Sequence, residues 1–314
     1  MRDLLSRFLV EAAASDERFL VLAGDHGYAL FDTLRTRHAE RFVNAGVAEQ
    51  SMIGIAAGLA TLGFRPCVYG LASFVPMRVL EQIKLDLCHA SVPVILLGDG
   101  AGLVYSTLGV SHQCGEDIAC LRPLPRIAIY SPCDGYELEA CWGEARRADH
   151  PSYIRIGKAD RPAVHRQPLA DTTPQWICRG DGRGEDRLII GTGAMASLAA
   201  RIARAGGTPC VSVPRIKPLP EELLAIVGTR RSVAVVEEHT RAGGLYSALA
   251  EAIADWESPS GSPRLTHFGL QAAFTTSAGS YEHALSEHQL DEVTLTRRLT
   301  EWVATTAERP SAAR

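Results

Sequence analysis

Apolar positions alternate along this chain between two rhythms. Leu4, Leu5, Phe8, Leu9 and Ala12 share one face of a helix predicted over residues 3–15. A short apolar run at 19–23 then reads as a strand, ending in the turn Gly24-Asp25-His26-Gly27. The order repeats: strand 41–43, helix from Glu49, strand 65–69, helix 74–90, strand 93–97, a long loop 98–115, a helix at 115–121, strand 126–130, helix 134–148 and strand 153–156. The run 93–97 is apolar without alternation, as a central strand covered on both faces must be. Strands separated by helices predict a doubly wound, mostly parallel sheet, whose ligands bind beyond the carboxyl ends of the strands.

Residues 161–186 turn polar and rich in Pro, Gly, Asp and Arg, which reads as a linker or an exposed hairpin. A second α/β unit follows, with strands at 187–190, 209–213, 232–236 and 265–270 and helices at 194–205, 221–227, 244–255 and 291–305. The expected division is a first domain 1–165, a linker 166–186, a second domain 187–307 and a disordered tail 308–314. The fold class is α/β, with two doubly wound, mostly parallel-sheet domains.

A chain of 314 residues, 46% hydrophobic, can build two ordinary cores. A net charge of −4 gives no reason to expect nucleic acid or an anionic membrane as a partner. No apolar run reaches the roughly 20 residues of a membrane span, and the first residues lack the apolar segment of a signal peptide, so a cytoplasmic location is expected. The eight cysteines are scattered, without a Cys-x-x-Cys pair, and most read as small buried residues. Cys114 stands close to His112, but the chemistry drawn below needs no thiolate.

One carboxylate is out of character. Glu49 opens a helix that is apolar almost all round, through Met52, Ile53, Ile55, Ala56 and Leu59, with Gly54 and Gly58 as flat spots for a close-lying backbone. Such a helix is expected to be buried, and burial at its mouth disfavours the charged form of the acid. The stretch Gly46-Val47-Ala48-Glu49-Gln50-Ser51-Met52 resembles the pyrimidine-binding domain of transketolase-like, thiamine-diphosphate enzymes. The resemblance extends to Gly109-Val110-Ser111-His112-Gln113 and, in the second unit, to Ile216-Lys217-Pro218-Leu219-Pro220 and Val236-Glu237-Glu238-His239.

The resemblance implies roles. Glu49 would hydrogen-bond a ring nitrogen of the cofactor's aminopyrimidine and activate it, Phe74 would stack on that ring, and Tyr69 would line the same wall. His112 would serve the substrate's oxygens as a proton carrier, for which an imidazole is suited. Asp25 and Arg2 fall at the cleft entrance, where the family keeps an acid and a base. Other positions depart from the family. Leu108 replaces an Asp that contacts a substrate hydroxyl, Ala29 a phosphate-binding Ser, a residue near Gly98 a His, and Lys158 an Arg.

The diphosphate-binding domain of the family has no counterpart here. Gly98-Asp99-Gly100 imitates its metal motif, but the required Asn does not follow, since Asn44 is the only asparagine and lies upstream. No metal site is expected in this chain, and Mg2+ would be held by a separate diphosphate-binding subunit, with two copies of each chain (α2β2). The reading is one subunit of a split transketolase-like enzyme, transferring a two-carbon ketol unit through thiamine diphosphate to a non-classical acceptor in specialised biosynthesis. The alternatives are the beta subunit of a 2-oxo acid dehydrogenase, which hands on an acyl group, and an inactive assembly partner.

Overall fold

The computed structural model describes residues 1–158, 160–182, 184–256 and 261–307, so the tail expected at 308–314 lies outside the described residues. The first unit runs α1 (Arg2–Ser15), β1 (Phe19–Ala23), α2 (Asp32–Arg37), β2 (Phe42–Asn44), α3 (Glu49–Thr61), β3 (Arg65–Leu71), α4 (Leu80–Gln82), β4 (Ile95–Asp99), α5 (Asp117–Leu121), β5 (Ala128–Tyr130), α6 (Gly135–Arg147) and β6 (Ser152–Ile156). The second runs β7 (Gln175–Cys178), β8 (Arg187–Gly191), α7 (Ala196–Ala205), β9 (Cys210–Ser212), β10 (Arg215–Lys217), α8 (Glu221–Gly228), β11 (Ser232–Thr240), α9 (Leu245–Ala254), β12 (Arg264–Leu270), α10 (Tyr281–Glu287) and α11 (Glu292–Ala307). No helix among the described residues is long and apolar enough to cross a membrane.

Two sheets result, in the orders β10-β5-β6-β4-β3-β1-β2 and β12-β11-β8-β9-β7. Every pairing is parallel except at one edge of each sheet, where β10 lies antiparallel to β5 and β7 antiparallel to β9. Both edge strands are additions to the sequence reading. Gln175–Cys178 falls inside the expected linker yet joins the second sheet, and Arg215–Lys217 leaves the second unit to complete the first sheet.

Side chains alternate across β1, β3 and β4, so each strand feeds two cores. Val21, Cys67 and Leu97 pack with Leu5, Leu9, Leu138 and Trp142 of α1 and α6. Leu22, Val68 and Leu96 pack with Met52, Ile53 and Ala56 of α3 and with Ile83 and Leu87, and this cluster runs on through Ile129 and Ile216 to Val211, Val233 and Leu249 of the second sheet. The two units therefore share one apolar core. Truncating a fully buried member such as Ile53 removes both its transfer energy and its packing, about 2–5 kcal/mol.

Two expectations are corrected. The helix foreseen at 74–90 is broken into a 3-10 turn (Met77–Val79), the short α4 and a π-helix (Ile83–His89). Helix α3, expected to be buried, covers Glu49, Met52, Ile53, Ala56 and Ala60; Ile55 is 44% exposed, and a Cβ added at Gly54 or Gly58 would meet nothing within 4 Å. Its outer stripe, flanked by the exposed Val47 and Leu62, is a face that the fold itself leaves uncovered.

Candidate functional site

The carboxyl ends of β1 to β4 carry the site. Asn44 Oδ1 accepts from the backbone N–H of Asp25 at 3.1 Å and of Gly46 at 2.9 Å, tying the turn after β1 to the loop that leads into α3. Gly46 takes φ 70°, which a side chain would strain, and the chain then enters α3 with Glu49 as its first residue. Glu49 is only 4% exposed, yet it is not alone: Arg78 Nη1 donates to its Oε2 at 2.9 Å. Arg78 follows Phe74 by one turn, and its guanidinium carbon lies 4.0 Å from the centre of the Phe74 ring. Phe74 in turn meets His112 edge to face, with centroids 5.3 Å apart and planes at 65°.

Gly70 permits this arrangement. A Cβ there would come within 2.7 Å of Val75 Cγ2, so the chain can fold back across the end of β3 and present Phe74 only because that position has no side chain. His112 sits on the long loop after β4; its Nδ1 shares a 2.9 Å hydrogen bond with Ser111 Oγ. The loop is tied to the second unit, since Gln113 Oε1 accepts from Thr275 Oγ1 at 2.9 Å.

Below the loop, a buried network locks the two units together. Arg155 donates to Asp117 Oδ2 at 2.8 Å and to the Glu238 carbonyl at 2.7 Å, and Tyr153 Oη donates to Asp117 at 2.7 Å. Glu238 accepts from Leu103 N at 2.6 Å and Tyr281 Oη at 2.5 Å. Burial raises its pKa against the lowering effect of these donors, while burial lowers that of the adjoining His239. Cys114 is likewise enclosed, and burial pushes its thiol well up, which leaves it no thiolate character.

Besides a small cleft at Asp25 and Asn44, two sizeable pockets open at this edge. The larger, about 400 Å³, lies between Ser73, Met77, Gln113 and Glu116 on one side and Leu270 and Phe274 on the other. The smaller, about 320 Å³, gathers Arg2, Tyr69, Asp99, Tyr105 and Lys158. Glu49, Phe74 and His112 are thus brought together through Arg78, and Arg2 with Lys158 and Tyr69 form a second group. The Tyr69 ring packs edge on against Phe31 at 5.1 Å and its hydroxyl bonds Asp99, so it stands apart from Phe74. Asp25 is exposed on its turn, and Leu108, 55% exposed, lines neither pocket. The apolar stretch around it is divided, with Val110 in the larger pocket and Tyr105 in the smaller.

Arg78 and Asn44 were not foreseen as site residues. A signal existed for each: Arg78 is the cation one helical turn beyond Phe74, and Asn44 is the chain's single asparagine, placed just before a strand-to-helix turn.

This fold and this edge have known counterparts. Residues 1–162 match the family model of the transketolase pyrimidine binding domain, and residues 178–292 that of the transketolase C-terminal domain. The chain belongs to the transketolase family, whose members are thiamine-diphosphate-dependent transferases. Among its relatives is the 6-deoxy-6-sulfo-D-fructose transketolase subunit SqwH of Clostridium sp. strain MSTE9, 31% identical over 262 residues covering 81% of each chain. One of the subunits of the apulose-4-phosphate transketolase of Phocaeicola vulgatus is 32% identical over 257 residues, 79% of this chain and 81% of that one. Among solved structures, a split-gene transketolase described as an inactive beta4 tetramer superposes with a TM-score of 0.84 at 28% identity, covering 98% of this chain and 99% of that one.

The residues present fit the pyrimidine end of thiamine diphosphate. A buried acid and an aromatic face meet one planar group, here the Arg78 guanidinium, and the nearby buried atoms Ser73 Oγ and Gln113 Nε2 have no hydrogen-bond partner. Among the described residues, the grouping of metal-capable side chains is Cys133, Glu137 and His165, and there Glu137 already accepts from Cys133 N at 2.8 Å and meets His165 Nε2 at 2.9 Å.

Proposed function

We propose that this chain is the pyrimidine-binding half of a split transketolase-type enzyme, which transfers a two-carbon ketol unit when paired with a separate diphosphate-binding subunit. The carrying observation is the meeting of Glu49 and Phe74 on the edge and the face of one planar group. An aminopyrimidine needs those two contacts: an acid at its ring-nitrogen edge and an aromatic surface on its face, the latter worth about 0.5–1.5 kcal/mol beyond burial. Bound thiamine diphosphate supplies a nucleophilic carbon that stabilises a carbanion. Glu49 holds the proton at the ring-nitrogen edge, Phe74 fixes the plane of the ring, and His112, beside Phe74, moves a proton on or off the substrate's oxygen.

The partner subunit supplies the Mg2+ and diphosphate ligands in an α2β2 assembly, and the uncovered stripe of α3 with Gly54, Ile55 and Gly58 is the face offered to it. Leu108, Ala29 and Gly98 stand where the family keeps polar substrate ligands, which supports an acceptor other than the sugar phosphates of central metabolism, in a specialised biosynthesis. The two relatives named for a sulfosugar and for apulose 4-phosphate support ketol transfer as the reaction.

The test is reconstitution. The purified chain alone is expected to bind thiamine diphosphate weakly and to turn over nothing; mixed with a diphosphate-binding partner, it is expected to bind tightly with magnesium and to cleave a ketose donor. Tight, magnesium-dependent binding by the isolated chain would overturn the reading.

A further inference from the structure

Asp99 ends β4 in the smaller pocket, and two tyrosines donate to the same oxygen of its carboxylate. Tyr69 Oη lies 2.7 Å and Tyr105 Oη 2.9 Å from Oδ2. No described residue donates to Oδ1, so the tyrosines fix the plane of the group and leave one acceptor for a ligand. Gly100 makes room for this. It takes φ 69°, and a Cβ on it would overlap the Tyr105 ring at 1.9 Å, so only glycine lets that ring lie back over the strand end. Burial, and then the Asp99 charge, push both phenols upward, which keeps them protonated as donors.

Among the side chains lining the pocket, opposite charges are equal in number. Arg2 and Lys158 are its cations, Asp99 and Asp160 its carboxylates, and Lys158 is already paired to Asp160 at 3.1 Å. Arg2 donates to the Tyr28 carbonyl at 2.7 Å. A phosphate dianion entering here would meet a fixed carboxylate whose lone pairs repel it. A hydroxyl would find an acceptor held ready for it.

On the ketol-transfer reading above, we infer that Asp99, oriented by Tyr69 and Tyr105, is the specificity-determining residue of this pocket. It accepts a hydrogen bond from a hydroxyl of an uncharged, polyhydroxylated acceptor and turns phosphorylated acceptors away. The pocket opens at the carboxyl ends of β3, β4 and β6, Phe74 follows the first of these, and the loop that supplies Tyr105 also carries His112, so one segment joins the pocket to the proton carrier.

The experiment uses the reconstituted complex with wild-type chain and Asp99→Asn, which keeps an oxygen for both tyrosines and removes the charge. The readouts are kcat/KM for ribose and for ribose 5-phosphate, together with calorimetric binding of inorganic phosphate. In the variant, the ratio of phosphorylated to neutral acceptor is expected to rise about tenfold or more, chiefly through KM, with the difference shrinking as salt is added. Phosphate binding is expected to tighten in parallel. Tyr105→Phe, which frees the carboxylate without discharging it, is expected to lower efficiency for ribose and leave the phosphate response unchanged. Turnover with an unmoved ratio would overturn the role of Asp99 and leave ketol transfer standing. Absence of turnover with either acceptor, alongside tightened phosphate binding, would remove ketol transfer and leave the site. Unmoved phosphate binding in Asp99→Asn would overturn the inference whatever the turnover.

Discussion

Arg78 pairs with Glu49 at 2.9 Å while lying 4.0 Å over the Phe74 ring, so one side chain makes both of the contacts that the proposed function gives to the cofactor's ring. On the proposed reading, guanidinium and cofactor ring compete for one slot. The Arg78 side chain is 45% exposed, so its ion pair is screened and the cation–π contact adds only about 0.5–1 kcal/mol. Removing it also leaves Glu49 buried and unpaired until the cofactor arrives, which favours binding further. Arg78→Ala is therefore expected to lower the Kd of the complex for thiamine diphosphate about fivefold, measured by calorimetry. Weaker binding in the variant would mean that Arg78 holds the cofactor instead of yielding to it.

Glu49→Gln retains the size and a hydrogen-bonding group but cannot exchange a proton with the ring nitrogen. The variant should assemble normally and lose most turnover, with proton exchange at the cofactor's thiazolium carbon slowed by orders of magnitude. Exchange at the wild-type rate would remove the role assigned to Glu49.

The outer stripe of α3 gives a prediction about assembly. Ile55 is exposed in the isolated chain, so Ile55→Asp should change its stability by only about 0.5 kcal/mol. If the stripe is the partner face, the same substitution buries a charge in the complex and abolishes association, read by light scattering on the mixed subunits. Undisturbed assembly would move the interface elsewhere.

His165 couples stability to pH. Asp134 caps α6 with one oxygen, and with the other accepts from Val164 N and His165 N, both at 2.8 Å; this docks the chain that leaves the first unit. Burial alone would lower the pKa of His165, but its 2.9 Å contact with Glu137 and that carboxylate's charge outweigh burial and raise it. The folded state thus holds the proton more tightly than the unfolded one, so the contribution is full below the ordinary histidine value of about 6.5 and fades as pH rises through the folded value. Thermal melts should show this loss on raising pH in the wild type and a flatter profile in His165→Gln. Equal slopes would show that the pair titrates without consequence.

Most of the fold was legible because its signals are local. The unbroken apolar run ending in Leu97 marks a strand wherever it pairs, and Glu49 declares itself as a charge at the mouth of an apolar helix. What escaped depends on distance. Three residues at Arg215–Lys217 carry no strand period of their own and become a strand only against Tyr130 and Ile129. The outer side of α3 carries Ile55 beside Gly54 and Gly58, and an apolar residue among glycines does not tell by periodicity whether it faces the core or lies uncovered. Asp99 read as an imitation metal motif, since nothing in its neighbours announces that a strand tyrosine and a loop tyrosine converge on it.

The placement of β10 bears on how this chain is made. Until Lys217 has been synthesised, β5 of the first sheet has a bare edge, with backbone donors and acceptors ready to pair with any extended segment nearby. During synthesis that edge would stay open to other chains until a piece of the second unit reaches back to it. A polypeptide stopped near residue 165 would keep that edge, and self-association through β5 is its natural fate.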